Sequence, residues 1–382
     1  MRVFDCAGGA IGGGGESLLG GFALPEAEAA PLAAAARPEP PAAARIAAAT
    51  LAGAIGVSVG TARIVSAAVE ADGSVVLRAE RNAFLALDDD AATRRFLASL
   101  DVARIERDGR LDVVGDAAFE VARILGRETR RPMRDGFVSP DEPDALFRLA
   151  SLLERTVGRS RSEDRAAFSV PSDGVPGGDP RVIYHRGVVE KALARLGYRP
   201  LAVSEGLAVV LSELSSAEDS FTGIGLSFGA GRTSFSIAHR GIEVDGFSIE
   251  RGGDWIDAHA AKALGATIVE AASAKESGID LAAPRGREAA AIAALLKNWI
   301  GGVVEAIRER LASRGRELGF RAPLPVVASG GAALAAGFAD VLRGEIERAG
   351  GLGFPVGSVR VAATPLESVA RGCLVAASLA DE

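Results

Sequence analysis

One short pattern occurs twice in this chain and restricts its fold more than any other feature. I-G-V-S-V-G-T-A-R begins at Ile55, and I-G-L-S-F-G-A-G-R-T begins at Ile224, 169 positions later. Each copy predicts a strand, a tight glycine turn and a second strand, with an arginine just beyond the turn. The two copies indicate a duplicated fold, although two unrelated hairpins in a chain of biased composition are the alternative.

The glycine turns also suggest a chemistry. Consecutive backbone N–H groups in such turns form concave anion-binding sites. Glycine permits the backbone angles required and lets a phosphate approach closely. If the two hairpins face each other across a cleft, the sequence predicts a phosphate site between them.

Outside the repeat, strands and helices alternate along the chain. Apolar spacing predicts helices over 116–125, 144–157, 182–196, 206–214, 255–264, 288–311 and 365–379, with another after Gly330-Gly331. β-branched runs predict strands at 54–69, from Ser74, at 166–170 and 201–203, across 222–249, and at 325–328. This alternation is typical of the α/β class, which we therefore predict.

Charge and cysteine content exclude several function classes. With 43 basic and 50 acidic residues, the formal net charge is −7. A nucleic-acid-binding protein needs a basic face, so no nucleic-acid partner is expected. Two cysteines, Cys6 and Cys373, exclude a disulfide framework and a cysteine metal site, as is typical of a cytoplasmic protein.

The N-terminal segment differs in composition from the rest. Residues 1–48 are Gly-rich and then Ala/Pro-rich, which predicts a disordered tail that could bind a partner protein. The folded body is expected to begin near Leu51. The uncharged stretch 46–62 consists mostly of Ala, Gly, Ser and Thr, so membrane association is not indicated.

Three common catalytic motifs do not account for the sequence. Both hairpins match G-x-S-x-G, but each is followed by strand-type residues, whereas a hydrolase nucleophile elbow requires a helix. The chain has no G-x-x-x-x-G-K-[ST] loop, and the glycines at 223–231 do not complete the dinucleotide-binding pattern. No histidine has a triad context, and His185 and His259 are expected to be packed or surface residues.

Several segments resemble, in order, the motifs of the actin-like ATPase superfamily, which includes actin, DnaK-type chaperones and sugar kinases. The two hairpins resemble its phosphate loops, G-x-D-x-G-T and D-x-G-x-G-T. The other similar segments are 113–117 (V-V-G-D-A), 131–136 (R-P-M-R-D-G), 204–208 (S-E-G-L-A), 251–254 (R-G-G-D), 327–332 (V-A-S-G-G-A) and 365–372 (P-L-E-S-V-A-R-G). Over residues 54–382 the chain is most similar to MreB and related prokaryotic actins.

The resemblance implies a two-lobed α/β fold of duplicated ribonuclease H-like domains, with ATP in the cleft between them. It implies a domain I at 49–205 plus 366–382, with a small subdomain inserted at about 84–135. It implies a domain II at 206–365, with a reduced small subdomain at about 265–288.

The resemblance also implies site residues. Glu205 would position or activate the attacking water, and Mg²⁺ would be held through water and phosphates, with no direct protein ligand. The phosphates would lie against Ser58, Gly60, Thr61, Ser227, Gly229, Ala230, Gly231, Arg232 and Thr233. The nucleoside would lie against Gly252, Gly253, Asp254, Lys275, Glu276, Gly330 and Gly331, although solvated helix charges explain Lys275 and Glu276 equally well.

Two departures from the family pattern bear on function. Serine replaces the metal-orienting aspartate of both loops, at Ser58 and Ser227, so Mg²⁺ binding should be weaker or rerouted. Asp254 or Glu205 could compensate, and the arginines at 63 and 232 could supply positive charge to the phosphates. The segment 271–287 is also too short and polar for the sheet that makes filament contacts in the family.

The leading function is therefore an ATP-dependent cytoskeletal filament former that self-assembles, acts in cell shape or intracellular organisation, and hydrolyses ATP slowly. The first alternative is a non-polymerising nucleotide switch or pseudo-ATPase that binds a partner protein. A DnaK-type chaperone is disfavoured because the chain ends where the nucleotide-binding fold is expected to end. A sugar kinase is disfavoured because no clear catalytic aspartate is present.

Overall fold

The computed structural model describes residues 53–380, except 71, 103, 161, 176–177 and 217–218, and describes 313–317 by backbone alone. The predicted tail at 1–48 lies outside these residues.

Strands and helices alternate through the described chain. The strands are β1 (Ala54–Val59), β2 (Arg63–Val69), β3 (Val75–Arg81), β4 (Phe84–Asp88), β5 (Arg104–Arg107), β6 (Arg110–Val114), β7 (Met133–Arg134), β8 (Phe137–Val138), β9 (Arg165–Val170), β10 (Arg199–Ser204), β11 (Gly223–Phe228), β12 (Thr233–His239), β13 (Ile242–Ile249), β14 (Leu324–Ser329) and β15 (Val356–Val361). The helices are α1 (Ala91–Ser99), α2 (Asp116–Leu125), α3 (Ala145–Val157), α4 (Pro180–Arg195), α5 (Glu205–Glu213), α6 (Gly253–Leu264), α7 (Ile268–Glu276), α8 (Gly286–Leu318), α9 (Phe338–Arg348) and α10 (Ser368–Leu379).

Two five-stranded sheets share one topology. Their strand orders are β3-β2-β1-β9-β10 and β13-β12-β11-β14-β15. In each sheet, the three strands that come first along the chain form an antiparallel meander. The earliest strand, β1 or β11, pairs in parallel with β9 or β14, which in turn pairs in parallel with β10 or β15. The predicted duplication and the α/β class are confirmed. We call the half built on the first sheet lobe I and the other half lobe II.

A glycine in the first strand of each repeat lets a helix cross the sheet. A Cβ placed on Gly56 of β1 would lie 2.1 Å from the carbonyl oxygen of Ala370 in α10. A Cβ placed on Gly225 of β11 would lie 2.0 Å from the carbonyl oxygen of Gly206 in α5. Because side chains do not fit at these two positions, α5 and α10 pack closely between the two sheets.

A three-stranded sheet, β4-β6-β5, projects from lobe I with α1 and α2. A buried ionic network fastens it: Arg148 of α3 donates to Asp112 of β6 at 2.8 Å and to Glu142 at 3.0 Å. The same guanidinium lies 3.8 Å from the ring centroid of Phe84. The projecting sheet is therefore fixed to the body of lobe I by side chains that are almost wholly buried.

The corresponding segment of lobe II is much smaller. Residues 265–288, all of which are described, contain α7 but no strand, and an isolated bridge joins Asp280 to Ala336. Thr267 and Glu270 form a capping box that begins α7. The prediction of a reduced second small subdomain is confirmed, and its polar sequence forms a helix.

The core of lobe II is aromatic and lies against the longest helix. Trp299 of α8 packs edge-on against Phe228 of β11, and Phe228 packs against Phe338 of α9. Among the described helices, only the stretch Gly286–Ala312 of α8 is long and apolar enough to cross a membrane, by length and composition alone. Of its most apolar 18 residues, 44% are buried inside the protein. The apolar residues of this helix are thus largely accounted for by the core of lobe II.

Candidate functional site

The turns of the two repeated hairpins have the same backbone geometry. In the first, the N–H of Gly60 donates to the carbonyl of Arg63 at 3.0 Å, and in the second, Gly229 donates to Arg232 at 2.9 Å. Within 4 Å of a Cβ placed on either glycine, the only atoms are backbone atoms of the same turn, from Arg63 or Arg232. Both turns therefore present an open backbone surface on the side away from their strands.

The two hairpin turns contact each other between the lobes. A Cβ on Gly231 would lie 2.5 Å from the hydroxyl of Thr61 and 2.4 Å from the backbone nitrogen of Gly136. Gly136, in the β7–β8 turn, donates its N–H to the Thr61 hydroxyl at 3.0 Å. The structure thus brings together the predicted residues Thr61 and Gly231, and adds Gly136 as a third member.

The start of α6 packs against the second hairpin turn through backbone hydrogen bonds. Gly253 donates to the carbonyl of Gly229 and Asp254 donates to that of Ala230, each at 2.9 Å. A Cβ on Gly252 would lie 2.2 Å from the Ala230 carbonyl oxygen, so a side chain there would force α6 away. The predicted phosphate and nucleoside residues of lobe II are therefore directly linked.

The Gly330-Gly331 turn after β14 lies next to the same hairpin. Gly330 has a φ of +95°, and a Cβ placed on it would lie 2.3 Å from the carbonyl oxygen of Phe228. The backbone conformation and the lack of space for a side chain therefore both require glycine here. Gly331 has only a Leu366 methyl within reach, at 3.8 Å. Gly331 consequently leaves open space that a ligand could occupy.

Lys275 is only partly exposed and its side chain contacts α6. Its ammonium group lies 2.6 Å from a carboxylate oxygen of Asp257 and donates to the carbonyl of Gly253 at 3.1 Å. Burial raises the pKa of Asp257, and the charge of Lys275 opposes that rise. Glu276, the other residue of the predicted pair, is exposed at the end of α7.

Glu205 is the first residue of α5 and lies at the base of the second hairpin. Its carboxylate accepts a hydrogen bond from the hydroxyl of Ser234 at 2.7 Å, and the hydroxyl of Ser227 lies near it. Burial raises the pKa of Glu205, while the two hydroxyls and the charge of Arg232 partly oppose the rise. Such a carboxylate can orient a water molecule and accept its proton.

Thr233 turns its hydroxyl away from the cleft. The hydroxyl donates to the carbonyl of Arg251 at 2.8 Å and accepts from the indole N–H of Trp299 at 3.0 Å. This side chain therefore belongs to the core of lobe II.

Arg232 also points away from the hairpin turns, into the contact between the lobes. It is buried, lies 4.7 Å from the ring centroid of Phe137 and donates to the hydroxyl of Ser248 at 3.2 Å. Arg63, the equivalent residue of the first hairpin, is exposed. The two arginines that the repeat has in common are therefore placed differently.

The cleft offers a poor donor set for a metal ion. Within the described ranges, no group of three or more His, Cys, Asp or Glu side chains is placed to hold one. Ser58 is partly buried and Ser227 is buried, and neither carries a charge. Asp254 is already engaged, because Arg131 donates to both of its carboxylate oxygens at 2.9 Å.

Four residues of the site were not predicted from the sequence to act there: Arg131, Gly136, Ser234 and Asp257. The segment R-P-M-R-D-G contains the first two. Its glycine indicates a turn, and Gly136 has the left-handed φ of +85° that glycine adopts readily. Ser234 could have been found from strand alternation, since it lies on the opposite face of β12 from Thr233. Asp257 gives no such signal, because its partner is distant in sequence.

Comparison with known proteins identifies the fold. A family model described as Volactin matches residues 54–377. No curated protein matches the sequence. The solved structure of a MamK double helical filament is similar, with a TM-score of 0.62, 18% identity, and coverage of 86% of this chain and 98% of that one.

A second solved structure, MreB 5 of Spiroplasma citri bound to AMPPNP, has a TM-score of 0.57, 16% identity, and coverage of 84% of this chain and 94% of that one. A non-polymerising MamK mutant bound to AMPPNP has a TM-score of 0.54 and 19% identity, with coverage of 86% and 98%. The chain therefore has the two-lobed actin-like fold.

Proposed function

Because this chain belongs to the Volactin family, we propose that it is a nucleotide-binding, actin-like filament protein that assembles in an ATP-dependent way. We place it in the cytoplasm, in cell shape or intracellular organisation, with itself as principal partner. Residues 1–48 are a candidate site for a second protein. Similar folds in MamK filaments and in AMPPNP-bound MreB 5 support the proposal.

One observation carries the nucleotide-binding part of this proposal. The hairpin turns of the two lobes meet at Thr61, Gly136 and Gly231, so a ligand held by both turns would join the lobes. The space beside Gly60 and Gly229 is open except for the carbonyl of their own turn, so a phosphate could approach these turns closely. ATP bound here would place its phosphates at these turns.

The nucleoside would lie farther along lobe II. Gly253 begins α6, Lys275 lies against it, and Gly331 leaves space next to Leu366. These residues fit a nucleotide that lies across lobe II with its phosphates at the hairpin turns.

Glu205 is the residue proposed to act on water. Its carboxylate lies next to the second hairpin, where the hydroxyl of Ser234 donates to it at 2.7 Å and orients it. Phosphoryl transfer depends mainly on positioning and electrostatic stabilisation. With serine at both former aspartate positions, the charge stabilisation is weaker, so we expect slow hydrolysis.

Sedimentation tests the assembly. The full chain is centrifuged at high speed with ATP, with ADP and without nucleotide, and the pellets are imaged by negative stain. We expect filaments and a larger pellet with ATP. Gly231→Val, whose side chain would collide with Thr61 and Gly136, should lose the ATP-dependent pellet, whereas Gly344→Ala, in open space on α9, should retain it.

The reduced segment 265–288 favours a second candidate, a non-polymerising nucleotide switch. A folded protein that binds nucleotide but never pellets would support this candidate and contradict the filament proposal. A pellet of equal size in all three conditions would contradict nucleotide control of assembly.

A further inference from the structure

We propose that the cleft holds its nucleotide without a protein-anchored divalent cation, so that the affinity for ATP does not depend on Mg²⁺. This inference rests on the proposed nucleotide-binding function. It follows from where the carboxylates around the cleft are directed and from what each of them already binds.

The positions closest to the phosphate turns carry hydroxyls. Mg²⁺ in nucleotide sites is held by one or two carboxylates, directly or through its water shell, together with the phosphates. Ser58 is the next-to-last residue of β1, and Ser227 occupies the same place in β11. A neutral hydroxyl supplies no charge to attract the cation.

Glu205, at the base of the second hairpin, is also engaged. The hydroxyl of Ser234 donates to its carboxylate at 2.7 Å. A metal ion bound at this carboxylate would have to replace that hydrogen bond.

The two acidic residues in the first part of α6, Asp254 and Asp257, are each paired with a cation. Both carboxylate oxygens of Asp254 accept from Arg131 at 2.9 Å, and Asp257 lies 2.6 Å from the ammonium of Lys275. Asp254 therefore does not compensate for the missing aspartates. These pairs leave neither carboxylate available to a cation, so Mg²⁺ gains no protein anchor from them and the affinity for ATP does not depend on it.

Direct titration tests the inference. A fluorescent ATP analogue is titrated into the full chain, once in excess EDTA and once in excess Mg²⁺. We expect the two dissociation constants to agree within about threefold, or binding to be tighter in EDTA; a loss of about tenfold or more in EDTA would overturn the inference.

Absence of binding in both conditions, with the protein folded by circular dichroism, would contradict the proposed function and the inference together. Binding that requires Mg²⁺ would contradict the inference alone. The two failures are therefore distinguishable.

Restoring the carboxylates gives the matched test. Ser58→Asp, at the partly buried position, should weaken binding in EDTA by about tenfold through repulsion, and Mg²⁺ should restore it. Ser227→Asp should do the same where it folds. Ser99→Asp, on an exposed turn of α1, is the control and should change neither constant. If Ser58→Asp binds equally in EDTA and Mg²⁺, serine is not the cause of metal independence and the inference is wrong.

Discussion

At the scale of single residues, Glu205 is the most informative position. Its carboxylate is held by Ser234 at 2.7 Å, and burial raises its pKa. Glu205→Gln keeps an acceptor for that hydroxyl but removes the base, so we expect ATP turnover to fall by about 10²- to 10⁴-fold while nucleotide affinity is retained. Phosphate release at saturating ATP measures the loss, and unchanged turnover in the variant would exclude Glu205 from the chemistry.

His185 is a second residue with a measurable consequence. It is fully buried in α4, neither ring nitrogen has a hydrogen-bond partner within the described residues, and burial lowers its pKa to about 4. The unfolded chain takes up the proton near pH 6.5 and the folded chain does not, so stability falls as pH drops from 6.5 to 4, by up to about 3 kcal/mol.

Replacing this histidine isolates the effect. His185→Leu should raise the free energy of unfolding more at pH 5 than at pH 8, as measured by urea denaturation at both values. His259→Leu is the control, because that ring is exposed on α6. An equal effect of His185→Leu at both pH values would show that the ring does not titrate as its burial indicates.

At the scale of elements, the packing of α5 on α10 depends on glycine. A Cβ on Gly372 would lie 1.7 Å from the carbonyl oxygen of Ala208, a backbone atom that cannot turn aside. Gly372→Ala should therefore cost about 3 kcal/mol or more of stability. Gly344→Ala, in a helix with nothing within 4 Å, should stabilise by about 0.5–1 kcal/mol. Urea denaturation measures the free energy of unfolding of both variants. Similar free energies would contradict the close approach of α10 to α5.

The small sheet of lobe I depends on a buried ion network. Arg148→Met would leave Asp112 buried without its cation, at a cost of about 3–5 kcal/mol, whereas Glu142 would keep its pair with Arg130. We expect faster proteolysis within 84–125 than in the rest of the protein. Arg308→Met, which breaks an exposed pair on α8, should change stability by less than about 0.5 kcal/mol. Equal protease sensitivity of the two variants would contradict the anchoring role of Arg148.

The elements that sequence predicts well are those whose signals are local. The glycine hairpins and the helix Asp116–Leu125 follow from residues next to one another, and the structure has them as expected. Strand β15 was missed because Gly357 and Ser358 are exposed on an edge strand and give no apolar run. The closing helix begins at Ser368, three residues later than predicted, because the carbonyl of Pro365 instead accepts from Gly330 and Ser329 of lobe II.

In the site, too, sequence predicts the residues whose signals are local. Gly60, Gly229 and Gly252 were identified because their turns have local sequence signatures. The role of Thr233 in the core depends on Trp299, which is 66 residues away, and no local pattern contains that partner. Tertiary pairing thus determined which predicted polar groups face the cleft.

At the scale of the whole molecule, two ion pairs join the lobes. Arg131, just before β7, bonds both oxygens of Asp254 on α6, and Arg181 of α4 pairs with Glu250 after β13. All four side chains are partly exposed, so each pair contributes about 0.2–1 kcal/mol and is weakened by salt. Together they favour the closed arrangement of the lobes by about 1 kcal/mol, or roughly fivefold.

Opening of the cleft, with α5 and α10 still packed between the sheets, should therefore respond to salt or to one substitution. We expect the radius of gyration from small-angle X-ray scattering to rise between about 0.05 M and about 1 M salt. Asp254→Asn should give the same rise at low salt, and the exchanged pair Arg131→Asp with Asp254→Arg should reverse it. Glu305→Gln, which breaks an exposed pair within lobe II, is the control. If Asp254→Asn leaves the radius and its salt dependence unchanged, backbone contacts at Thr61, Gly136 and Gly231 hold the lobes closed without these pairs.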